Sequence, residues 1–124
     1  MNIQLKRVYQ AASPGDGYRL LVDRIWPRGL GKEEARIDDW IKEIAPSTEL
    51  RKWFGHEPAK WAEFRRRYFA ELSHRRELVE RLLERARSGP LTLVYSAKDE
   101  EHNNAVALRE YLEGAQQDTP GLTE

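Results

Sequence analysis

A chain of 124 residues is within the usual size of one domain and long enough to bury a single hydrophobic core. Its 21 basic and 21 acidic residues cancel, so no overall field draws it to nucleic acid or to an anionic membrane, and any such affinity must come from a local site. Cysteine is absent, which excludes a disulfide framework, a thiolate nucleophile and thiolate-bound metal clusters.

The segment Met1 to Arg7 lacks the apolar run of a signal peptide, and no stretch is long and apolar enough to cross a bilayer, so a cytoplasmic protein is expected. Ile3 and Leu5, with Val8 as an optional extension, mark a short alternating first strand. Ser13-Pro14-Gly15-Asp16-Gly17 is turn chemistry, and Leu20-Leu21-Val22 reads as a buried second strand. The loop between them is too short for a typical parallel crossover, so these two strands, if adjacent, are expected to pair antiparallel. Ile37, Trp40, Ile41 and Ile44 fall at i, i+3, i+4 and i+7, the spacing of one helix face that Pro46 should end.

Ser47 or Thr48 can cap a short helix holding Leu50, Trp53 and Phe54 before Gly55, and Pro58 can open another with Trp61, Phe64, Tyr68 and Leu72 on one face. A further helix carries Leu78, Val79, Leu82, Leu83 and Ala86 and stops at Ser88-Gly89-Pro90. Leu91 to Tyr95 reads as a second buried strand, and Ala105, Leu108, Tyr111 and Leu112 mark a last helix that Asp99 can cap. The order is that of an α/β fold. A single, small, three-layer-like domain is expected over 1–113, with a short, mostly parallel sheet, an antiparallel first strand and about five helices. A frayed tail is expected over 114–124.

If the two buried strands are parallel, their carboxyl ends lie side by side, and open α/β sheets bind ligands in that crevice. One end carries Asp23, Arg24, Trp26 and Arg28, and the other Ser96, Lys98 and Asp99. Arg24, Arg28 and Lys98 suit a phosphate or carboxylate, and the amino end of the last helix adds free N–H groups. Two readings stay open: an anion-binding crevice, or an Asp23–Arg24 structural ion pair with Glu100 and Glu101 neutralising the helix end. His56, His74 and His102 have no ligand spacing, so no metal site is expected, and no cofactor class is indicated. Asp23 and His102 are the candidate catalytic bases, and Ser96 with His102 and Asp23 is a geometric option for nucleophilic chemistry. Arg65-Arg66-Arg67 and Arg75-Arg76 are interleaved with glutamates at i,i+4, which fits a solvated, charge-paired face, so no nucleic-acid binding is expected. Trp53-Phe54-Gly55-His56 is set apart, because a glycine turn can hold an aromatic ring and a histidine over the crevice.

Four blocks carry a family resemblance: Tyr18 to Leu30, Trp40 to Ser47, Leu50 to His56, and Lys98 to Ala105. Together they resemble the YeaO-like group of the bacterial domain of unknown function 488, over about Ile3 to Leu112. The resemblance implies a small single-domain α/β cytoplasmic protein and supplies no established reaction. It groups Asp23, Arg24, Trp26, Pro27 and Arg28 with Trp53, Phe54, Gly55 and His56, and with Lys98, Asp99, His102 and Asn103. Longer relatives of the wider family carry a cysteine near the end of the last strand and a Cys-His-Arg run after it. Tyr95 and Asn103-Asn104-Ala105 stand at those places here, so thiol chemistry does not carry over.

The functional expectation is a small anionic ligand, a phosphate-bearing metabolite or nucleotide, held by Arg24, Arg28, Lys98, Asp99, His56 and Asn103 with Trp26 or Trp53 as an apolar wall. A hydrolase or group-transfer version uses His102 or Asp23 as general base. The alternative is a non-catalytic interaction or homodimerisation module that uses the same arginines and tryptophans, with no membrane partner. A closed pocket would favour the ligand, and a flat rim with Trp53 on it the module.

Overall fold

The computed structural model describes residues 1–117. Four strands, β1 (Ile3–Arg7), β2 (Tyr18–Leu21), β3 (Asp39–Trp40) and β4 (Leu91–Tyr95), form one sheet in the order β1-β4-β2-β3. Every pairing is parallel. β4 is central and buried at all five positions, as its uninterrupted apolar run suggests for a strand covered on both faces. Around the sheet lie α1 (Lys32–Ala35), α2 (Thr48–Phe54), α3 (Trp61–Leu72), α4 (Arg76–Ser88) and α5 (Asn104–Gln117).

The antiparallel first strand is corrected. β1 and β2 are not neighbours: β4 lies between them and pairs parallel with both, Leu5 and Leu20 each facing Leu93. The connection therefore passes over a strand position, and ten residues containing a 3-10 turn at Pro14–Asp16 suffice for the return. Gly17 closes that return with φ of +64°, and a Cβ there would come within 2.3 Å of the Pro90 carbonyl oxygen. Only glycine lets the start of β2 approach β4 so closely.

The predicted helix over Ile37 to Ile44 is also corrected, being a two-residue strand followed by a 3-10 turn at Lys42–Ile44. Its apolar residues divide between the two faces of the sheet. Ile41 and Ile44 join the large core that α2 to α5 cover, whereas Ile37 and Trp40 pack with Trp26 and Leu30 on the smaller core around Val8, Leu21, Ala35 and Val94. Leu20 and Val22 likewise face the large core and Leu21 the small one, the alternation of a strand covered on both sides. Asn103 caps α5, its Oδ1 accepting from the Val106 N–H at 3.0 Å, while Asp99 accepts from Glu101 and His102 one turn earlier. The helix continues through Gly114 to Gln117. The rest of the expected tail, 118–124, lies outside the described residues.

Opposite the carboxyl ends of the strands, Arg19 is buried with its guanidinium on Asp16 at 2.7 Å and on the carbonyls of Ala35 and Arg36 at 2.9 Å each. Lys6 reaches the same carboxylate at 3.0 Å. Burial by itself raises the Asp16 carboxyl, but hydrogen bonds from Lys6, Ser13 and Arg19 outweigh it and hold the group well below its usual range.

Candidate functional site

Because all strands point the same way, residues from the ends of all four meet at one edge of the sheet. Arg7 ends β1, Asp23 to Arg28 follow β2, Ala45 and Pro46 follow β3, and Ser96 to Lys98 follow β4. With Arg51, Phe54 and His56 from α2 and its exit, and Asn103 and Asn104 from the start of α5, they line a cleft of about 560 Å³. That is within the range of small-molecule sites, at the end of the sheet where open α/β folds place them.

Asp23 is its floor. The Ser96 N–H and hydroxyl both donate to Asp23 Oδ2, at 2.9 and 2.8 Å, and Asn104 Nδ2 donates to Oδ1 at 3.1 Å. Desolvation raises the carboxyl above its ordinary value, while the Ser96 and Asn104 hydrogen bonds and the charge of His56 oppose the rise. Trp40 Nε1 donates to the Asp23 carbonyl at 2.7 Å and fixes the backbone beneath it.

Five cations line the cleft, Arg7, Arg24, Arg28, Arg51 and Lys98, and Asp23 is its one carboxylate among the described residues. Two are anchored through neutral groups. Arg7 donates to the carbonyls of Ala97 and Ser96, at 2.8 and 3.2 Å, and Arg24 to those of Pro46 and Ala45, at 3.2 Å each. Carbonyls orient a guanidinium without cancelling its charge. Asp23 and Arg24 therefore do not form the ion pair of the structural reading, since each has other partners. Arg28, Arg51 and Lys98 are exposed, with no side-chain hydrogen bond or ion pair among the described residues. The Arg28 carbonyl accepts from the Tyr9 hydroxyl at 2.9 Å, tying the loop after β2 to the loop after β1.

His56 reaches the cleft through two successive left-handed residues, Gly55 at φ 55° and His56 itself at φ 60°. A non-glycine residue held there is strained locally, a condition that gathers at sites where a side chain is aimed. Trp26 lines the cleft, its Nε1 donating to the Leu30 carbonyl at 2.7 Å and its ring edge-on to Trp40 at 5.4 Å. Phe54 and Phe64, stacked with centroids 4.4 Å apart, add an apolar wall.

The structure thus brings together Asp23, Arg24, Trp26, Arg28, His56, Lys98 and Asn103, and leaves Trp53, Asp99 and His102 outside the cleft lining. His102 Nδ1 lies 3.0 Å from Asp99 Oδ2, with its ring edge-on to Trp61. Trp53 has two cations over its ring, Lys60 at 5.0 Å and Arg67 at 4.3 Å from the centroid. The Ser96 hydroxyl meets the Asp23 carboxylate directly, with no imidazole between them. Sequence reasoning missed Arg7, Tyr9 and Arg51. An antiparallel β1 would have carried Arg7 to the far end of the sheet. The signal for Arg51 was present, since it is three residues before Phe54 on α2 and so shares its face.

Fold and cleft together define a small α/β protein with an all-parallel sheet and a cation-lined cleft at the strand ends. The chain belongs to the DUF488-N3i family, described as the inactive DUF488-N3 subclade, which it matches over residues 2–122. It is 52% identical over 112 residues to the uncharacterised protein YeaO of Escherichia coli K12, covering 90% of this chain and 97% of that one. To the uncharacterised protein Rv3073c of Mycobacterium tuberculosis H37Rv it is 39% identical over 112 residues, 90% of this chain and 94% of the other. No solved structure matches. No helix among the described residues is long and apolar enough to cross a membrane.

Proposed function

We propose that the cleft binds a small anionic, phosphate-bearing ligand, and that the protein works by binding rather than turnover. The observation that carries this is the charge imbalance: five cations face one carboxylate, and the three most exposed, Arg28, Arg51 and Lys98, are not neutralised within the described residues. Clustered unpaired cations repel one another, and an anion relieves that repulsion. The description of the family as inactive supports binding over catalysis, as does the placing of His102 on Asp99 outside the cleft. The interaction-module reading needed Trp53 on a flat rim. The concave shape of the cleft and the two cations held over the Trp53 ring weigh against it.

Thermal unfolding against a panel of phosphate-bearing metabolites at low ionic strength tests the proposal. A ligand at a hundred times its dissociation constant adds about 2.7 kcal/mol to unfolding, a shift of several degrees for a domain of this size. Arg28→Ala with Arg51→Ala should abolish the shift. A panel without any stabilising anion, or a shift that survives the double substitution, overturns the reading.

A further inference from the structure

The cleft is polarised, and its two ends ask for different chemistry. At Asp23 and Asn104 the floor offers acceptors. Three of the roughly four acceptor positions of a carboxylate are filled at Asp23, by the Ser96 N–H, the Ser96 hydroxyl and Asn104 Nδ2, which leaves one on Oδ1. Asn104 directs both amide hydrogens inward, to Asp23 Oδ1 and to the Val22 carbonyl at 3.0 Å, so its own carbonyl oxygen is left as an acceptor. A phosphate cannot sit on this floor, because an acceptor carboxylate repels it. The exposed cations of the lining, Arg28, Arg51 and Lys98, offer it donors instead. Trp26 and Phe54 of the same lining present apolar surface, suited to the C–H face of a saturated ring.

We infer that the ligand is a phosphorylated sugar ring, free or within a nucleotide, with its hydroxyl groups on Asp23 and Asn104 and its phosphate among Arg28, Arg51 and Lys98. The inference rests on the anion-binding reading and adds the hydroxyl-bearing ring to it. Two adjacent hydroxyls supply donors to these two acceptors, and donation to a charged acceptor is among the stronger hydrogen bonds. A site built to pair with a hydroxyl discriminates strongly against the analogue without one, because its own polar groups are then left unpaired.

Isothermal titration of the unmodified protein with ribose 5-phosphate, adenosine 5′-monophosphate, 2′,3′-dideoxyadenosine 5′-monophosphate and inorganic phosphate tests it. Ribose 5-phosphate, adenosine monophosphate or both should bind at least tenfold more tightly than inorganic phosphate, and the dideoxy compound at least tenfold more weakly than adenosine monophosphate wherever the latter binds. Equal affinity for the two sugar-bearing ligands identifies the free sugar phosphate as sufficient, and a gain with adenosine identifies the nucleotide; either supports the inference. Asp23→Asn should keep the affinity for inorganic phosphate and lose the preference for hydroxyls. If that variant does not fold, the comparison in the unmodified protein decides alone. Inorganic phosphate binding as tightly as the sugar phosphates, or a dideoxy compound binding as tightly as its parent, overturns the sugar while leaving the anion site standing. Binding of none of the four overturns both.

Discussion

Ser96 closes on Asp23 twice, its N–H at 2.9 Å and its hydroxyl at 2.8 Å from the same carboxylate oxygen. The first residue after β4 is thereby clamped to a residue just beyond β2. The main-chain bond is set by the fold, whereas the hydroxyl depends on the side chain. Ser96→Ala should therefore cost about 1 kcal/mol, the usual worth of one such hydrogen bond, and leave the strands paired. The loss should depend on pH. The folded carboxyl is raised by desolvation, so its contribution to stability is full below its ordinary value of 3.8 and is lost as the pH rises through its folded value. Removing a donor to the ionised form raises that value further, so the deficit should be larger at pH 7 than at pH 4. Urea unfolding at both pH values checks this, and an equal deficit would place the hydroxyl outside the titration of Asp23.

The arginines of the cleft should separate into two kinds. Arg24 is half-buried and satisfies the carbonyls of Ala45 and Pro46, so Arg24→Ala should destabilise the ligand-free protein by about 1–3 kcal/mol, the cost of leaving such acceptors unpaired. Arg28 and Arg51 are exposed and make no such bonds. Their alanine variants should stay within about 0.5 kcal/mol of the parent while losing the shift caused by phosphate-bearing ligands. Denaturant titrations with and without ligand read both quantities, and a large ligand-free loss in Arg28→Ala would make that residue structural.

A third prediction concerns the other end of the sheet. The Asp16 carboxyl is held well below its ordinary 3.8, chiefly because Lys6, Ser13 and Arg19 outweigh its burial. A depressed folded pKa contributes stability that is present above 3.8 and is lost as the pH falls through the folded value. Asp16→Asn should flatten the acid limb of the stability profile. At neutral pH it should cost about 3–5 kcal/mol, because the buried Arg19 keeps its carbonyls and loses its counter-charge. Unfolding measured between pH 2 and 7 gives both the slope and the offset. A variant whose acid limb matched that of the parent would remove Asp16 from the account.

Much of the cleft was legible because it rests on local signals. Pro27 and Gly29 end the segment after β2, Ser88-Gly89-Pro90 sets the start of β4, and two apolar runs separated by a long helical stretch imply parallel neighbours. Once that is granted, Asp23, Arg24, Arg28 and Lys98 must fall at one edge. What was not legible is long-range. Nothing in Ile3 to Arg7 says that β4 inserts between β1 and β2, and the direction of β1 alone decides whether Arg7 enters the cleft. The spacing of Ile37, Trp40, Ile41 and Ile44 mimics a helix because a strand and a tight turn send the first two to one face of the sheet and the last two to the other. Periodicity records which residues are buried and is blind to which core receives them.

The last prediction is that the arginine-rich helices do not bind nucleic acid. On α3, Glu63 accepts from Arg66 and from Arg67, and the two bonds lower its carboxyl to about 2. Arg65 pairs with Glu110 on α5. These groups are already occupied, and counterion release requires cations that can be given to phosphates. Titration into labelled duplex and single-stranded DNA and RNA at physiological salt should show no submicromolar binding. Glu63→Gln removes the carboxylate and releases the Arg66 and Arg67 guanidinium groups from it, Arg67 keeping its place over the Trp53 ring. It should raise affinity measurably at low salt, with a steeper dependence on salt than the parent shows. Submicromolar binding by the parent would mean that the glutamates do not neutralise the face, and an unchanged Glu63→Gln would mean that Arg66 and Arg67 are not held by it.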